Sequence, residues 1–169
     1  MDVRELLEDF FGRVDENVHA VLDGLSTEQL AAAPVPGTNP IGWLVWHLTR
    51  VQDDHMADIF DAEQVWVTGD WGRRFGVDSD ASNTGWNHSW DEVETIRPDG
   101  AKALLEYYDA VSELTRGLLA TVTAKDLDRV VDTRWNPPVT LGVRLVSIAD
   151  DEIQHAGQAN YVRGILERR

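Results

Sequence analysis

The sequence contains no cysteine. That absence excludes disulfides, thiolate metal sites and a nucleophilic thiol supplied by the protein itself. Basic residues are also scarce: Lys and Arg total 15 against 30 Asp and Glu, a formal net charge of −15. Such a surface repels phosphate backbones and anionic lipid, so neither nucleic acid nor membrane is an expected partner. No apolar run reaches the roughly 18 residues that a membrane span requires. The N-terminal stretch "MDVRELLEDFFGRVDENV" is amphipathic and acidic, without the basic start and apolar run of a signal peptide. A cytoplasmic protein is expected.

What is present is helical periodicity. Val3, Leu6, Leu7, Phe10, Val14, Val18, Val21 and Leu22 recur at three-and-four spacing and predict a first long helix. Ser26 followed by Gln29 has the form of a capping box and starts a short helix. Asn39-Pro40 opens a second long helix, "IGWLVWHLTRVQDDHMADIF". The pattern breaks between Val65 and Asp99, a stretch carrying Trp66, Trp71, Trp86 and Trp90. There Ser89 with Glu92 repeats the capping-box form. A third long helix is expected over Gly100 to Val122, and a fourth from Leu141 to about Glu167 with Thr140 as N-cap. Only Val65–Val67 and Val130–Val131 hint at strand. No repeat or linker divides the chain, so one domain over residues 1–169 is expected. The fold class is all-α, an antiparallel four-helix bundle with a long Trp-rich connection between helices two and three.

Two of these helices carry ionisable groups on apolar faces. At about 100° per residue, Ile148, Ala159, Val162 and Leu166 all lie within about 40° of His155, and so does Asp151. On the second helix Trp43, His47 and Val51 share a face, with Asp54 about 20° from His47. Such groups can form an inert buried hydrogen bond, which is the commoner fate of a lone inward histidine. A carboxylate and two imidazoles converging from two helices also match the way bundle cores bind metal. Two His and one carboxylate leave a coordination position open, as catalytic sites do.

The segments "GWLVWHL" and "RWNPPVTLGVRLVSIADDEIQHAGQANYVRG" resemble the DinB/YfiT-like metalloprotein superfamily. The similarity is greatest to the actinobacterial branch with mycothiol-dependent S-transferases and the maleylpyruvate isomerase N-terminal domain. It spans essentially the whole chain, and His155-Ala156-Gly157-Gln158 with an acid four positions earlier is its most specific part. The resemblance implies one divalent ion, zinc or nickel, held by His47, Asp151 and His155. Many relatives have His in the place of Asp151, and the mycothiol-linked ones have Glu. The resemblance further implies a homodimer, and mycothiol as the thiol cosubstrate of a metal-dependent transferase acting on a small electrophile. The residues alone leave open a metal-dependent hydrolase, with Asp54 as general base, and a non-catalytic metal- or ligand-binding stress protein.

The remaining candidates are peripheral. Arg144 lies about 20° from His155 and is placed to meet Asp151 or an anionic substrate. His88, at the start of the short helix after "GWN", is a candidate for lining the cosubstrate pocket, as are the four Trp of the connection. Arg73 and Arg74 are placed to meet an anion or solvent. His55 is expected to be partly exposed, His19 to be structural, and one of Tyr107 and Tyr108 to enter the core.

Overall fold

The computed structural model describes residues 1–168. Along the chain run α1 (Val3–Leu22), α2 (Thr27–Ala31), α3 (Ile41–Phe60), α4 (Val65–Thr68), α5 (Trp71–Phe75), α6 (Trp90–Val93) and α7 (Ala101–Leu119). The strands β1 (Val130–Asp132) and β2 (Val139–Thr140) follow, and then α8 (Leu141–Leu166). N-cap side chains set four of these starts. Ser26 with Gln29 and Ser89 with Glu92 close capping boxes on α2 and α6, and Asp2 with Glu5 closes another on α1. The Thr140 hydroxyl accepts from the amide of Val143 at the head of α8.

The four long helices close on one another as a ring. α3 packs against α7 and α8, and α1 packs against the same two. Val18, Leu44, Leu48, Leu104, Val111 and Ile148 are all fully buried between them. Every residue of α3 from Ile41 to Asp53 is buried, because α2 and the connection over residues 61–100 cover its outer side. A helix enclosed on all sides has no solvent face on which to leave a charge. Its His47, Arg50 and Asp53 must therefore find partners inside the protein.

The strand hinted at Val65–Val67 is instead the helical turn α4. The Asp53 carboxylate accepts the amides of Val65 and Trp66, both at 2.8 Å. Consecutive amides point the same way at a helix start and opposite ways in a strand, so this contact selects the helix. The second hint is realised: β1 pairs antiparallel with β2, Val130 opposite Thr140 and Asp132 opposite Val139. That hairpin delivers the chain directly into α8. Among the described residues, no helix is long and apolar enough to cross a membrane.

Candidate metal centre

The facing surfaces of α3 and α8 bring His47, Asp151 and His155 together. Asp151 Oδ1 lies 3.8 Å from His47 Nε2 and 3.6 Å from His155 Nε2. All three candidate ligand atoms lie within 4.8 Å of one another. Ligands of a tetrahedral ion at roughly 2.1 Å stand roughly 3.4 Å apart, so small side-chain adjustments close the set.

Each imidazole is oriented by its other nitrogen. His47 Nδ1 lies 2.6 Å from the carbonyl of Thr84, and His155 Nδ1 lies 2.8 Å from Gln158 Oε1. An oxygen acceptor requires the proton on Nδ1, which leaves the Nε2 lone pair free toward Asp151. His47 is only 4% exposed, and burial pushes its pKa down to about 4 against the raising effect of the Thr84 carbonyl. It is neutral at physiological pH, so its approach to Asp151 joins two ligand atoms and is not an ion pair. Burial raises the Asp151 carboxyl, while His155 pulls it back. Asp151 Oδ2 is buried without a partner. An orphaned carboxylate oxygen beside two imidazole lone pairs is a donor set that fits a borderline cation such as zinc or nickel.

Aromatic rings wall the back of the cluster. Trp43 stacks on His47 with ring centroids 4.6 Å apart. Its Nε1 donates to His88 Nδ1 at 3.3 Å, and His88 Nε2 faces Asn83 Oδ1 at 2.9 Å. His88, expected in the cosubstrate pocket, thus has both nitrogens committed and stacks on Trp46. The cap of α6 is its neighbour Ser89.

In front of Asp151 lies a cavity of about 590 Å³, lined also by Asp54, His55, Thr84, Trp86, Arg134 and Ser147. Of the four Trp expected to form its walls, only Trp86 does so. Trp66 is fully buried, and Trp71 and Trp90 pack against the core. Asp54 is half-buried and accepts from Gln64 Nε2 at 2.8 Å. A second cavity of about 400 Å³ shares Asp54, His55 and Arg134 and extends to Arg144. Arg144 meets Asp132 at 2.8 Å, not Asp151. The hairpin explains this, because it sets Asp132 over the first turns of α8. Arg73 pairs with Asp70 and Arg74 with Glu106. His55 is half-buried, and His19 bonds the backbone of Asp15 and meets Asp109 at the surface.

Three features escaped sequence reasoning. Arg50 and Asp53, both fully buried, form an ion pair at 3.2 Å that includes the Tyr107 hydroxyl. Both Tyr107 and Tyr108 are buried, not one alone. Glu152 is fully buried with both carboxyl oxygens unpartnered, and burial holds its carboxyl well above the usual range. The signal for Glu152 was available. Leu141, Leu145, Ile148, Ala156, Ala159 and Val162 mark the buried line of α8, and Glu152 stands within it.

Fold and residue cluster together define a helical protein of the DinB/YfiT-like kind. Within that class the chain belongs to the mycothiol-S-transferase family, whose model matches residues 6–168. No curated protein matches the chain. The crystal structure of a conserved protein from Enterococcus faecalis is similar over 100% of this chain and 99% of its own, with a TM-score of 0.90 and 28% identity.

Proposed function

We propose that the protein is a cytoplasmic, divalent-metal-dependent transferase that conjugates a low-molecular-weight thiol, mycothiol, to a small electrophile. The observation that carries this is the convergence of two Nε2 lone pairs on Asp151 beside an open cavity. Membership of the mycothiol-S-transferase family supports the choice of thiol and of transfer chemistry. The sequence has no cysteine and so no thiol of its own, and the thiol has to come from solution.

A divalent ion at this site would lower the pKa of a thiol coordinated to it, whereas a free thiol near 8.5 is only a few per cent nucleophilic at neutral pH. Held by two imidazole nitrogens and the single charge of Asp151, a divalent ion would keep a net positive charge to attract the thiol sulfur. The sulfur forms its bond to the electrophilic carbon as the leaving group departs with its electron pair, and the thiol proton passes to solvent. Trp86 gives an apolar electrophile a surface to rest on, and Ser147 and Thr84 offer polar edges to the thiol's remainder. Asp54 in the same wall favours a second reading, hydrolysis with Asp54 as base. Its contact with Gln64 occupies only Oδ1.

The proposal includes one domain formed as an antiparallel four-helix bundle from the ring of long helices. It also includes a homodimer. Leu6, Val143, Val146 and Ile153 are exposed on α1 and α8, which pack together. Apolar surface of this kind is characteristic of interfaces. Sedimentation at micromolar concentration tests the dimer, and a monomer there removes it.

The test of function is calorimetry of mycothiol binding to the zinc- or nickel-loaded protein in two buffers of different ionisation heat. Release of about one proton at neutral pH, lost on removing the metal, is expected. Binding without metal, or no binding, moves the assignment to hydrolysis or to a non-catalytic binder.

A further inference from the structure

Arg50 is fully buried, and two of its hydrogen bonds go to one short piece of chain, the others going to Asp53, Tyr107 and Gln64. Nη2 donates to the carbonyl of Ala81 at 2.8 Å, and Nε to that of Asn83 at 3.0 Å. The same guanidinium is held by Asp53 at 3.2 Å and lies over the Trp66 ring, 5.1 Å from its centroid. The next carbonyl along, that of Thr84, is the one facing His47 Nδ1. Arg50 and His47 are neighbours on α3, three residues apart. The helix therefore grips residues 81–84 at three points, the carbonyls of Ala81, Asn83 and Thr84.

Gly85 completes the strap. Its φ is +88°, a conformation that side-chain-bearing residues rarely adopt. A Cβ there would stand 2.8 Å from His47 Nδ1, 2.9 Å from the Trp46 ring and 3.1 Å from the Trp43 ring. Those rings are packed and cannot retreat, so the strap itself would have to move, carrying the Thr84 carbonyl off His47.

We propose that Arg50 and Gly85 are positioning residues for the metal centre: through the strap Ala81–Gly85 they fix His47 as the Nδ1–H tautomer with Nε2 toward Asp151. The long connection between α3 and α7 is thereby part of the site and not only its cover. The inference rests on the reading of His47 as a ligand. Groups that orient a ligand histidine are worth 10- to 100-fold in metal affinity, and a change of tautomer removes the lone pair from the correct nitrogen.

The test uses the full chain with 15N-labelled histidine, measured without metal at pH 7.5, together with zinc affinity by competition with a chelator. Wild type should have His47 in the Nδ1–H form. Gly85→Ala should populate the Nε2–H form and bind zinc about 10- to 100-fold more weakly. Arg50→Lys, which keeps the charge but loses the fork that spans two carbonyls, should do the same. Gly76→Ala is the control. Gly76 has a φ of +75°, yet its nearest neighbour to an added Cβ is Arg97, 3.5 Å away. It should lose stability from the same backbone strain while keeping tautomer and affinity. A folded Gly85→Ala with wild-type tautomer and zinc affinity overturns the proposal. So does an Nε2–H His47 in wild type, which decides the matter even where the variants do not fold. Failure of wild type to bind zinc overturns the ligand reading instead, and is told apart because the tautomer is read without metal.

Discussion

The imidazoles of His47 and His155 meet edge to face, with ring centroids 4.8 Å apart and planes at 78°. Each ring comes from a different helix, and each directs Nε2 at the same oxygen of Asp151. A pair of histidines serving only to fill the core would gain nothing from presenting two lone pairs to one carboxylate. Without a cation the three groups are poorly matched, since Asp151 has an unpartnered, buried oxygen and no charged partner in His47.

That mismatch predicts opposite effects of one substitution in the presence and absence of metal. Asp151→Asn removes a poorly compensated charge while keeping the shape. In chelator-treated protein it should leave the melting temperature unchanged or higher. With zinc or nickel the wild type should gain stability and the variant should gain little, because the anionic ligand is gone. Thermal melts with and without one equivalent of ion check this. Equal metal-induced gains in both proteins would remove Asp151 from the centre.

His155→Ala should abolish stoichiometric metal while leaving the fold intact. The side chain is only partly buried and lies at the edge of the α3–α8 contact. Its loss therefore creates little cavity, at a stability cost of roughly 1 kcal/mol. Metal analysis of protein purified without added metal gives the answer, and a full equivalent retained by the variant sinks the assignment.

Trp86 is 78% exposed, yet it borders the cavity in front of Asp151. Trp86→Ala should cost almost nothing in stability. If the ring supports an apolar electrophile, KM for such a substrate should rise roughly 5- to 30-fold, with little change for a small polar one. Steady-state conjugation assays with both substrates separate these cases. A parallel change for the two would show that the ring is not a substrate surface.

The triad could be read in the sequence because helix geometry is local. Residues four apart share a face wherever the helix lies, so Asp151 and His155 are paired by spacing alone. The facing of α3 by α8 followed from their apolar stripes. What holds the triad in place was not legible. The Thr84 oxygen on His47 is a backbone atom, and any residue type carries one. The same holds for the Ala81 and Asn83 carbonyls on Arg50. The Trp residues of the connection were misjudged because ring composition does not say which way a loop folds; Asp53, by capping α4, turns Trp66 into the core and away from the cavity. Arg144 was placed correctly on its helix face, but its partner Asp132 comes from a hairpin whose pairing is nonlocal.

Glu152 predicts a stabilising substitution. Its carboxyl is fully buried in the core line of α8 and both oxygens lack partners. Glu152→Met keeps the length, replaces an unsatisfied polar group and should raise stability by about 1–3 kcal/mol at pH 7. Urea unfolding of the metal-free protein measures the gain. A loss of comparable size would mean that the carboxyl has a partner in solution.

The last prediction concerns acid. Asp132, almost fully buried, accepts a two-point contact from Arg134 at 2.9 and 2.8 Å, and a further bond from Arg144 at 2.8 Å. The Arg134 hydrogen bonds, first of all, hold its carboxyl well below the usual range, with both guanidinium charges adding to the effect. A carboxylate depressed in the folded state stabilises that state above its unfolded value, near 3.9, and the contribution disappears as pH falls through the folded value. Asp132→Asn should accordingly be less stable than wild type at pH 7. The gap should begin to narrow below about pH 4 and close once the wild-type carboxyl is itself protonated. Urea midpoints for both proteins across pH 7 to 2 give the curve. A gap that stays constant over that range would mean that Asp132 acts through shape alone.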